Sequence, residues 1–119
     1  MGKIIYVIED DSDIREFIEY MLLSEKFKVV VCATAQIFWE NLKIALPDLV
    51  IMDIMLPDGN GIDISNQLKE NVLTQHIPIL HMSANIYNKT VFSESASRAF
   101  ISKPFNNKDF LLRVQELLN

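Results

Sequence analysis

The chain has 119 residues, of which 50% are hydrophobic and 23% are charged, and its net charge of −5 at pH 7 argues against direct nucleic-acid binding, which needs clustered basic residues. Its size suits one core, so we expect residues 1–119 to form a single domain. No apolar run approaches the ~20 residues that cross a bilayer, and the acidic residues 9–11 come too early for a signal peptide. We therefore expect no membrane association and a cytoplasmic location.

The first half of the chain alternates predicted strands with predicted helices. Strands are predicted at Lys3–Ile8, Phe27–Cys32 and Leu49–Asp53. The first helix, capped by Ser12 or Asp13, has apolar residues at i, i+3, i+4, i+7 and i+8. These residues are Ile14, Phe17, Ile18, Met21 and Leu22. The second helix opens at Thr34, places three apolar residues on one side and ends before Pro47. Those three are Ile37, Phe38 and Leu42.

The third strand delivers a carboxylate, Asp53, to its carboxyl end. Leu49–Asp53 is a continuous apolar run followed by a turn from Pro57 to Gly61, which is typical of a strand covered on both faces. Ligands of open parallel sheets lie outside the carboxyl ends of the strands, so Asp53 is a candidate reactive group. Alternatively, Asp53 only caps the turn that follows it.

The second half continues the alternation. Gly61 precedes a third helix with Ile62 and Leu68 facing inward, and strand Ile79–Met82 ends at Ser83. A fourth helix at Tyr87–Ala99 contains many poor helix formers, and strand Phe100–Ser102 follows it. Asn106 and Asp109 resemble a capping box for the last helix, whose apolar stripe is Phe110, Leu111, Val114, Leu117 and Leu118. Five strands alternating with five helices predict an α/β fold with a doubly wound parallel sheet.

Polar side chains end four of these strands. Glu9 and Asp10 follow the first strand, Asp53 ends the third, Ser83 the fourth and Lys103 the fifth, so the fold would gather them at one edge. Two carboxylates 4 Å apart repel by about 4 kcal/mol at an effective dielectric near 20, so a cation should compensate them. Mg²⁺ suits oxygen ligands and pairs with phosphate, and the lysine adds a second positive charge. Each residue alone also has an ordinary structural interpretation as a solvated helix start, a capping serine or a surface lysine.

The cysteine and histidines carry no such signal. Cys32 is the one cysteine of the chain and lies in an apolar run, which favours a buried, inert thiol. His76 and His81 lie before and within a predicted strand, and a structural role is favoured for both.

Several motifs together resemble a known family. They are Val7–Asp11, Asp53–Pro57 with Gly61, Ser83–Ala84 and Phe100–Phe105. In order and spacing they closely resemble the receiver domain of two-component response regulators, over essentially the whole chain. The resemblance implies a flavodoxin-like (βα)5 fold with strand order 2-1-3-4-5 and a signalling domain rather than an enzyme, with no effector domain in this chain.

The resemblance also implies roles for individual residues. Asp53 would accept a phosphoryl group from a sensor histidine kinase or a histidine phosphotransfer protein, in a reaction that the domain itself catalyses. Mg²⁺ would be bound by Asp10, Asp53, the Met55 main-chain carbonyl and, through water, Glu9. Lys103 would hold the phosphoryl oxygens.

A switch is implied as well. Ser83 would move toward the phosphoryl group and Phe100 would fill the space, changing the face made by the fourth helix, fifth strand and fifth helix. A downstream protein, an effector domain or a second copy in a phosphorylation-dependent homodimer would read that face. The alternative is a pseudo-receiver that binds proteins without being phosphorylated.

The sequence departs from the family between Ser83 and Lys103. Lys103 lies 20 positions after Ser83, a shorter separation than is usual in the family, and Ala96-Ser97 replaces the common Gly-Ala. We therefore expect a short or irregular fourth helix and local mobility at Asn85–Ser95. Amide hydrogen exchange should be fast there, and uniformly slow exchange would contradict this expectation.

Overall fold

A computed structural model describes residues 2–84 and 98–119 of the chain. The strands in this part are β1 (Ile4–Ile8), β2 (Lys28–Cys32), β3 (Leu49–Asp53), β4 (Met55–Leu56), β5 (Gly59–Asn60), β6 (Ile79–Ser83) and β7 (Arg98–Ser102). The helices are α1 (Ser12–Ser24), α2 (Ala35–Leu42), α3 (Gly61–Glu70) and α4 (Asn107–Leu118). The expected mobility at Asn85–Ser95 lies outside the described residues. So does the helix predicted at Tyr87–Ala99, except for its last two residues, which belong to β7.

Five of the strands form one parallel sheet in the order β2-β1-β3-β6-β7. The remaining two, β4 and β5, form a separate antiparallel hairpin that the sequence did not predict. Counted without the hairpin, the order is 2-1-3-4-5, so the flavodoxin-like prediction is confirmed. The register aligns Ile8 with Cys32 and Met52, and Asp53 with Met82, which brings the carboxyl ends of the strands to one edge.

Hydrophobic residues cover both faces of the sheet. Alternate residues of β1 point to opposite sides, as the two-residue period of a strand requires. Ile5 and Val7 belong to the cluster that packs against α1 and α4, and Tyr6 and Ile8 belong to the cluster that packs against α2 and α3. The continuous apolar strands therefore follow from a sheet that is buried on both faces.

The N-cap of helix α1 lies one residue before Ser12 and two before Asp13, the two predicted caps. Asp11 is the N-cap, because its Oδ1 accepts the N–H groups of Asp13 at 2.9 Å and Ile14 at 3.1 Å. The prediction of Ser12 or Asp13 was wrong, and the cap also gives Asp11 a role outside the acidic site. Phe17, predicted in the core, is 43% exposed, since it lies at the margin of the buried stripe.

Helix α2 ends at Leu42, several residues before the predicted end at Pro47. The Tyr6 hydroxyl donates hydrogen bonds to the main-chain carbonyls of Asn41 and Ala45, where the helix gives way to a turn. Burial, and then the charge of the Cys32 thiolate, raise the pKa of Tyr6, so this donor keeps its proton. A side chain of β1 therefore binds the carbonyls at the end of this helix.

The predicted inward faces of α2 and α3 are only partly correct. Ile37 of α2 is 37% exposed, because the adjacent Phe38 occupies the core position. In α3, Ile64 and Leu68 are buried, whereas Ile62 is only half-buried. These pairs show that the core positions of a short helix can differ by one or two residues from the apolar stripe in the sequence.

Burial makes Cys32 unreactive and raises the pKa of its thiol to about 11. This agrees with the predicted inert thiol, since almost no thiolate exists at neutral pH.

None of the helices within residues 2–84 and 98–119 is long and apolar enough to cross a membrane.

Candidate functional site

Lys103 joins two carboxylates at the carboxyl edge of the sheet. It follows β7, and its main-chain N–H donates to the carbonyl oxygen of Ser83 at 2.8 Å, which extends the pairing with β6. Its Nζ donates to Glu9 Oε1 at 2.6 Å and to Asp53 Oδ2 at 2.7 Å. The ends of β1, β3 and β7 are thus joined by one ammonium group.

Glu9 is enclosed, whereas Asp10 is open to solvent. Glu9 is 1% exposed, and its second carboxylate oxygen, Oε2, accepts the N–H of Asp11 at 3.1 Å. Asp10 is exposed, and Arg15 of α1 donates to the main-chain carbonyls of Glu9 at 2.8 Å and Asp10 at 3.3 Å. Arg15 therefore holds the main chain of Glu9 and Asp10 in place, a role that its sequence position inside a helix did not reveal.

Burial and ion pairing shift the two ionisable partners. Burial raises the pKa of Glu9 above its ordinary value, and it outweighs the hydrogen bonds from Lys103 and the Asp11 N–H, which lower it. Burial lowers the pKa of Lys103, but the hydrogen bonds to Asp53 and Glu9 together outweigh it, so the net pKa is raised. Lys103 therefore stays charged at neutral pH.

Asp53 lies at the centre of this arrangement. It is the last residue of β3 and is 8% exposed. Its Oδ1 accepts the N–H of Met55 at 3.1 Å, while Oδ2 accepts Lys103. The carboxylate therefore does cap the following turn, as the structural alternative proposed, but it also belongs to the ionic cluster.

Three carboxylates can converge on one cation. Oxygen atoms of Glu9, Asp10 and Asp53 lie within 4.8 Å of one another. Oxygen donors of this kind fit Mg²⁺, which is normally bound by one or two carboxylates and several waters. The Met55 main chain lies next to them, because its N–H is bound to Asp53. The residues predicted to bind the metal are thus brought together.

The two predicted switch residues are buried in neighbouring strands. Ser83 is the last residue of β6, one position beyond Met82, which pairs with Asp53. Phe100 is 2% exposed in β7, where it pairs with the fully buried His81 of β6. Both residues therefore lie close to the carboxyl edge of the sheet, and His81 is buried within β6, the strand in which the sequence placed it.

Two open cavities lie near these residues. One, of about 460 Å³, is largely apolar and is lined by Ile14, Phe17, Ala84, Lys103, Pro104 and Phe105. The other, of about 370 Å³, follows β7 and α4 and is lined by Phe100, Ile101, Ser102, Asp109, Leu112, Arg113 and Glu116.

The fold and the acidic edge of its sheet together are those of a family of signalling domains. The family model of the response regulator receiver domain matches residues 5–115, and the chain belongs to that family.

Curated relatives carry related sequences. Histidine kinase P4 of Formosa agariphila is 31% identical over 96% of this chain and 8% of its own length. The phosphate regulon transcriptional regulatory protein PhoB of Escherichia coli is 29% identical over 99% of this chain and 52% of its own length. The chain thus spans about half of PhoB and a small part of the kinase.

Solved structures show the same fold. A candidate response regulator of Chloroflexus aurantiacus superposes with a TM-score of 0.91 at 24% identity, covering 99% of this chain and 98% of that one. The response regulator protein TrrA of Thermotoga maritima, in complex with Mg²⁺ and BeF, gives a TM-score of 0.86 at 23% identity, covering 98% and 99%. The fold and its strand order are therefore those of CheY-like receiver domains.

Proposed function

We propose that this domain is a phosphorylation switch in which the Asp53 carboxylate accepts a phosphoryl group from a phosphohistidine. The donor would be a sensor histidine kinase or a histidine phosphotransfer protein, and the proposed location is the cytoplasm. The observation that carries the proposal is the position of Asp53, at the end of β3 with the Lys103 ammonium 2.7 Å away and two further carboxylates beside it.

A magnesium ion is the proposed cofactor. Asp10, Asp53 and the Met55 main-chain carbonyl would bind it directly. Glu9 would contribute through water, which is consistent with both of its oxygens already accepting hydrogen bonds, from Lys103 and the Asp11 N–H. Bound there, Mg²⁺ would neutralise the charge on the transferred group. The TrrA complex with Mg²⁺ and BeF supports such an ion in this fold.

The protein's own groups supply the rest of the reaction. One Asp53 carboxylate oxygen forms the new bond to phosphorus, and the bond from phosphorus to the donor's imidazole nitrogen breaks. Lys103, charged because its pKa is raised, stabilises the phosphoryl oxygens. Such transfers depend mainly on positioning and charge neutralisation, which this cluster provides without a separate base.

The proposed switch acts through Ser83 and Phe100. Phosphorylation adds roughly −1.5 to −2 charges and strong acceptor oxygens beside β6, toward which the Ser83 hydroxyl can turn. Phe100 would then repack. Moving a two-state equilibrium from 1:99 to 99:1 takes about 5.5 kcal/mol of differential stabilisation, which a few charge-assisted hydrogen bonds can supply.

Replacement of Ser83 by alanine should leave phosphoryl uptake intact and weaken the switch. Without the hydroxyl, the phosphoryl group loses the hydrogen bond that favours the active state. The measurement is the change in the NMR chemical shifts of Phe100 and Ile101 when beryllofluoride binds. This change should be at least threefold smaller in Ser83→Ala than in the wild-type protein. The control is Ser24→Ala, which removes a hydroxyl that donates to the Met21 carbonyl at 2.7 Å in α1. Equal shift changes in Ser83→Ala and the wild-type protein would contradict the role of Ser83.

The two cavities are the proposed contact surfaces. The apolar cavity beside Lys103, with the exposed Phe17, suits the partner that brings the phosphohistidine, because burying apolar surface there would hold the donor against the site. The cavity along β7 and α4 contains Phe100 and suits the downstream partner, effector domain or second copy that reads the switch. The fourth predicted helix of that face lies outside the described residues.

The proposal is tested by the intact mass of the protein after incubation with acetyl phosphate. With Mg²⁺ we expect a gain of one phosphoryl group, and with EDTA we expect none. Beryllofluoride binding under native conditions should show the same dependence on Mg²⁺. If neither modification occurs at any Mg²⁺ concentration and the cognate kinase also transfers nothing, the domain is a pseudo-receiver and the proposed function is wrong.

A further inference from the structure

Asp58, at the tip of the β4–β5 hairpin, is bound to the amino end of α2. Its Oδ1 accepts the N–H of Ala35 at 2.8 Å and its Oδ2 accepts the N–H of Gln36 at 3.0 Å. Asp58 is separated from these residues by more than twenty positions, so the contact is tertiary. One carboxylate thus connects the segment that follows Asp53 to a different helix.

The amino end of α2 is well suited to accept this carboxylate. The first N–H groups of a helix lack partners within the helix and carry partial positive charge. Thr34, the N-cap, accepts only the N–H of Ile37, at 3.2 Å. Asp58 accepts the N–H groups of Ala35 and Gln36, which precede Ile37. These two hydrogen bonds lower the pKa of the Asp58 carboxyl, and the one from Ala35 has the larger effect. The carboxylate is therefore ionised and bound at neutral pH.

The base of the hairpin is fixed at the acidic site. The Met55 N–H donates to Asp53 Oδ1 at 3.1 Å, and the Gly61 N–H donates to the Ile54 carbonyl at 2.7 Å. A Cβ at Gly61 would collide with the Asp53 carbonyl oxygen and lie 3.0 Å from Ile54 Cα, so this close approach requires glycine.

Side-chain packing contributes little to the hold on the hairpin. Met55 is 75% exposed, and Leu56 is only half-buried. Pro57, Gly59 and Asn60 are exposed as well. The hairpin is therefore held mainly by hydrogen bonds, at its base beside Asp53 and at its tip through the Asp58 carboxylate. Two further contacts are the packing of Leu56 against the cluster on α2 and α3 and the Asn60 Oδ1, which accepts the Ile62 N–H at 2.7 Å.

We propose that Asp58 is a positioning residue for the cation site. By binding the amino end of α2, it fixes the orientation of the hairpin and thereby of the Met55 main-chain carbonyl that the site presents to Mg²⁺. The inference rests on the proposed function, because it assigns to Asp58 the support of a metal ligand that the proposed function names. Residues that support metal ligands typically change metal affinity 10–100-fold when removed.

The test compares Asp58→Ala with Asp48→Ala by calorimetric titration of Mg²⁺. Asp48 is a matched control, because it is also an exposed carboxylate that accepts a main-chain N–H, that of Ile4 at 2.8 Å, but it precedes β3 at the opposite edge of the sheet. We expect the Mg²⁺ Kd to rise about tenfold in Asp58→Ala and to stay within twofold of wild type in Asp48→Ala. Asp58→Asn, which keeps one acceptor oxygen, should fall between them.

Amide exchange without metal supplies a second readout. The Met55 and Gly61 amides should exchange at least fivefold faster in Asp58→Ala than in Asp48→Ala. If the wild-type protein binds Mg²⁺ and Asp58→Ala binds it with the same Kd, this inference alone is overturned. The same holds if Asp58→Ala and Asp48→Ala weaken Mg²⁺ binding equally. A wild-type protein that binds no Mg²⁺ would overturn the proposed metal site and this inference with it.

Discussion

Asp53→Asn will take up no phosphoryl group from acetyl phosphate, whereas the wild-type protein takes up one. The amide lacks the charged oxygen that attacks phosphorus, so the loss should be complete rather than partial. The fold should survive, because an amide oxygen can still accept the Met55 N–H or the Lys103 ammonium. Intact mass after incubation with Mg²⁺ and acetyl phosphate measures the result, and thermal unfolding verifies the fold.

Asp63→Asn is the matched control for this experiment. Asp63 is an exposed aspartate in the first turn of α3, close in sequence but outside the acidic cluster. It loses the same charge and should be modified as fully as the wild-type protein. Full uptake by Asp53→Asn would place the acceptor on another residue and refute the site.

The alternation of strands and helices could be predicted because it depends on local pattern. Continuous apolar runs such as Leu49–Asp53 indicate buried strands, and the fold then requires their carboxyl ends to meet. This is why Glu9, Asp53 and Lys103, which are far apart in sequence, were predicted at one edge and are found joined there. The individual metal-binding and phosphoryl-accepting roles remain predictions.

The ends of helices and the short hairpin could not be predicted in this way. Each depends on a contact across the fold, such as the Tyr6 hydroxyl on the Asn41 carbonyl at the end of α2, or the Asp58 carboxylate on the Ala35 N–H. A local pattern also gives no information about neighbours, so it predicted Phe17 as buried although 43% of this residue stays exposed. Tertiary contacts override local preference at such positions.

Replacing Lys103 with methionine will destabilise the metal-free protein by about 3 kcal/mol, at the lower end of the cost of breaking a buried ion pair. Methionine keeps much of the apolar stem but removes the ammonium that lies 2.6 Å from Glu9 and 2.7 Å from Asp53. Two largely buried carboxylates then face each other without a cation. Urea unfolding at pH 7 in EDTA measures the loss, and Lys108→Met, an exposed lysine in α4, is the control for the change in net charge.

The loss in Lys103→Met should grow with pH. Burial already raises the pKa of Glu9 above its ordinary 4.5, and removing the lysine's opposing hydrogen bond raises it further. A carboxyl group whose folded pKa is raised binds its proton more tightly in the folded state, so the free energy of unfolding falls as pH rises from about 4.5 through the raised value. The deficit against wild type should therefore be small at pH 4 and full at pH 7. Adding Glu9→Gln to Lys103→Met removes the buried charge and should restore at least half of the free energy of unfolding lost at pH 7. A loss that does not change with pH and that Glu9→Gln leaves unchanged would show that Lys103 stabilises the fold through packing alone.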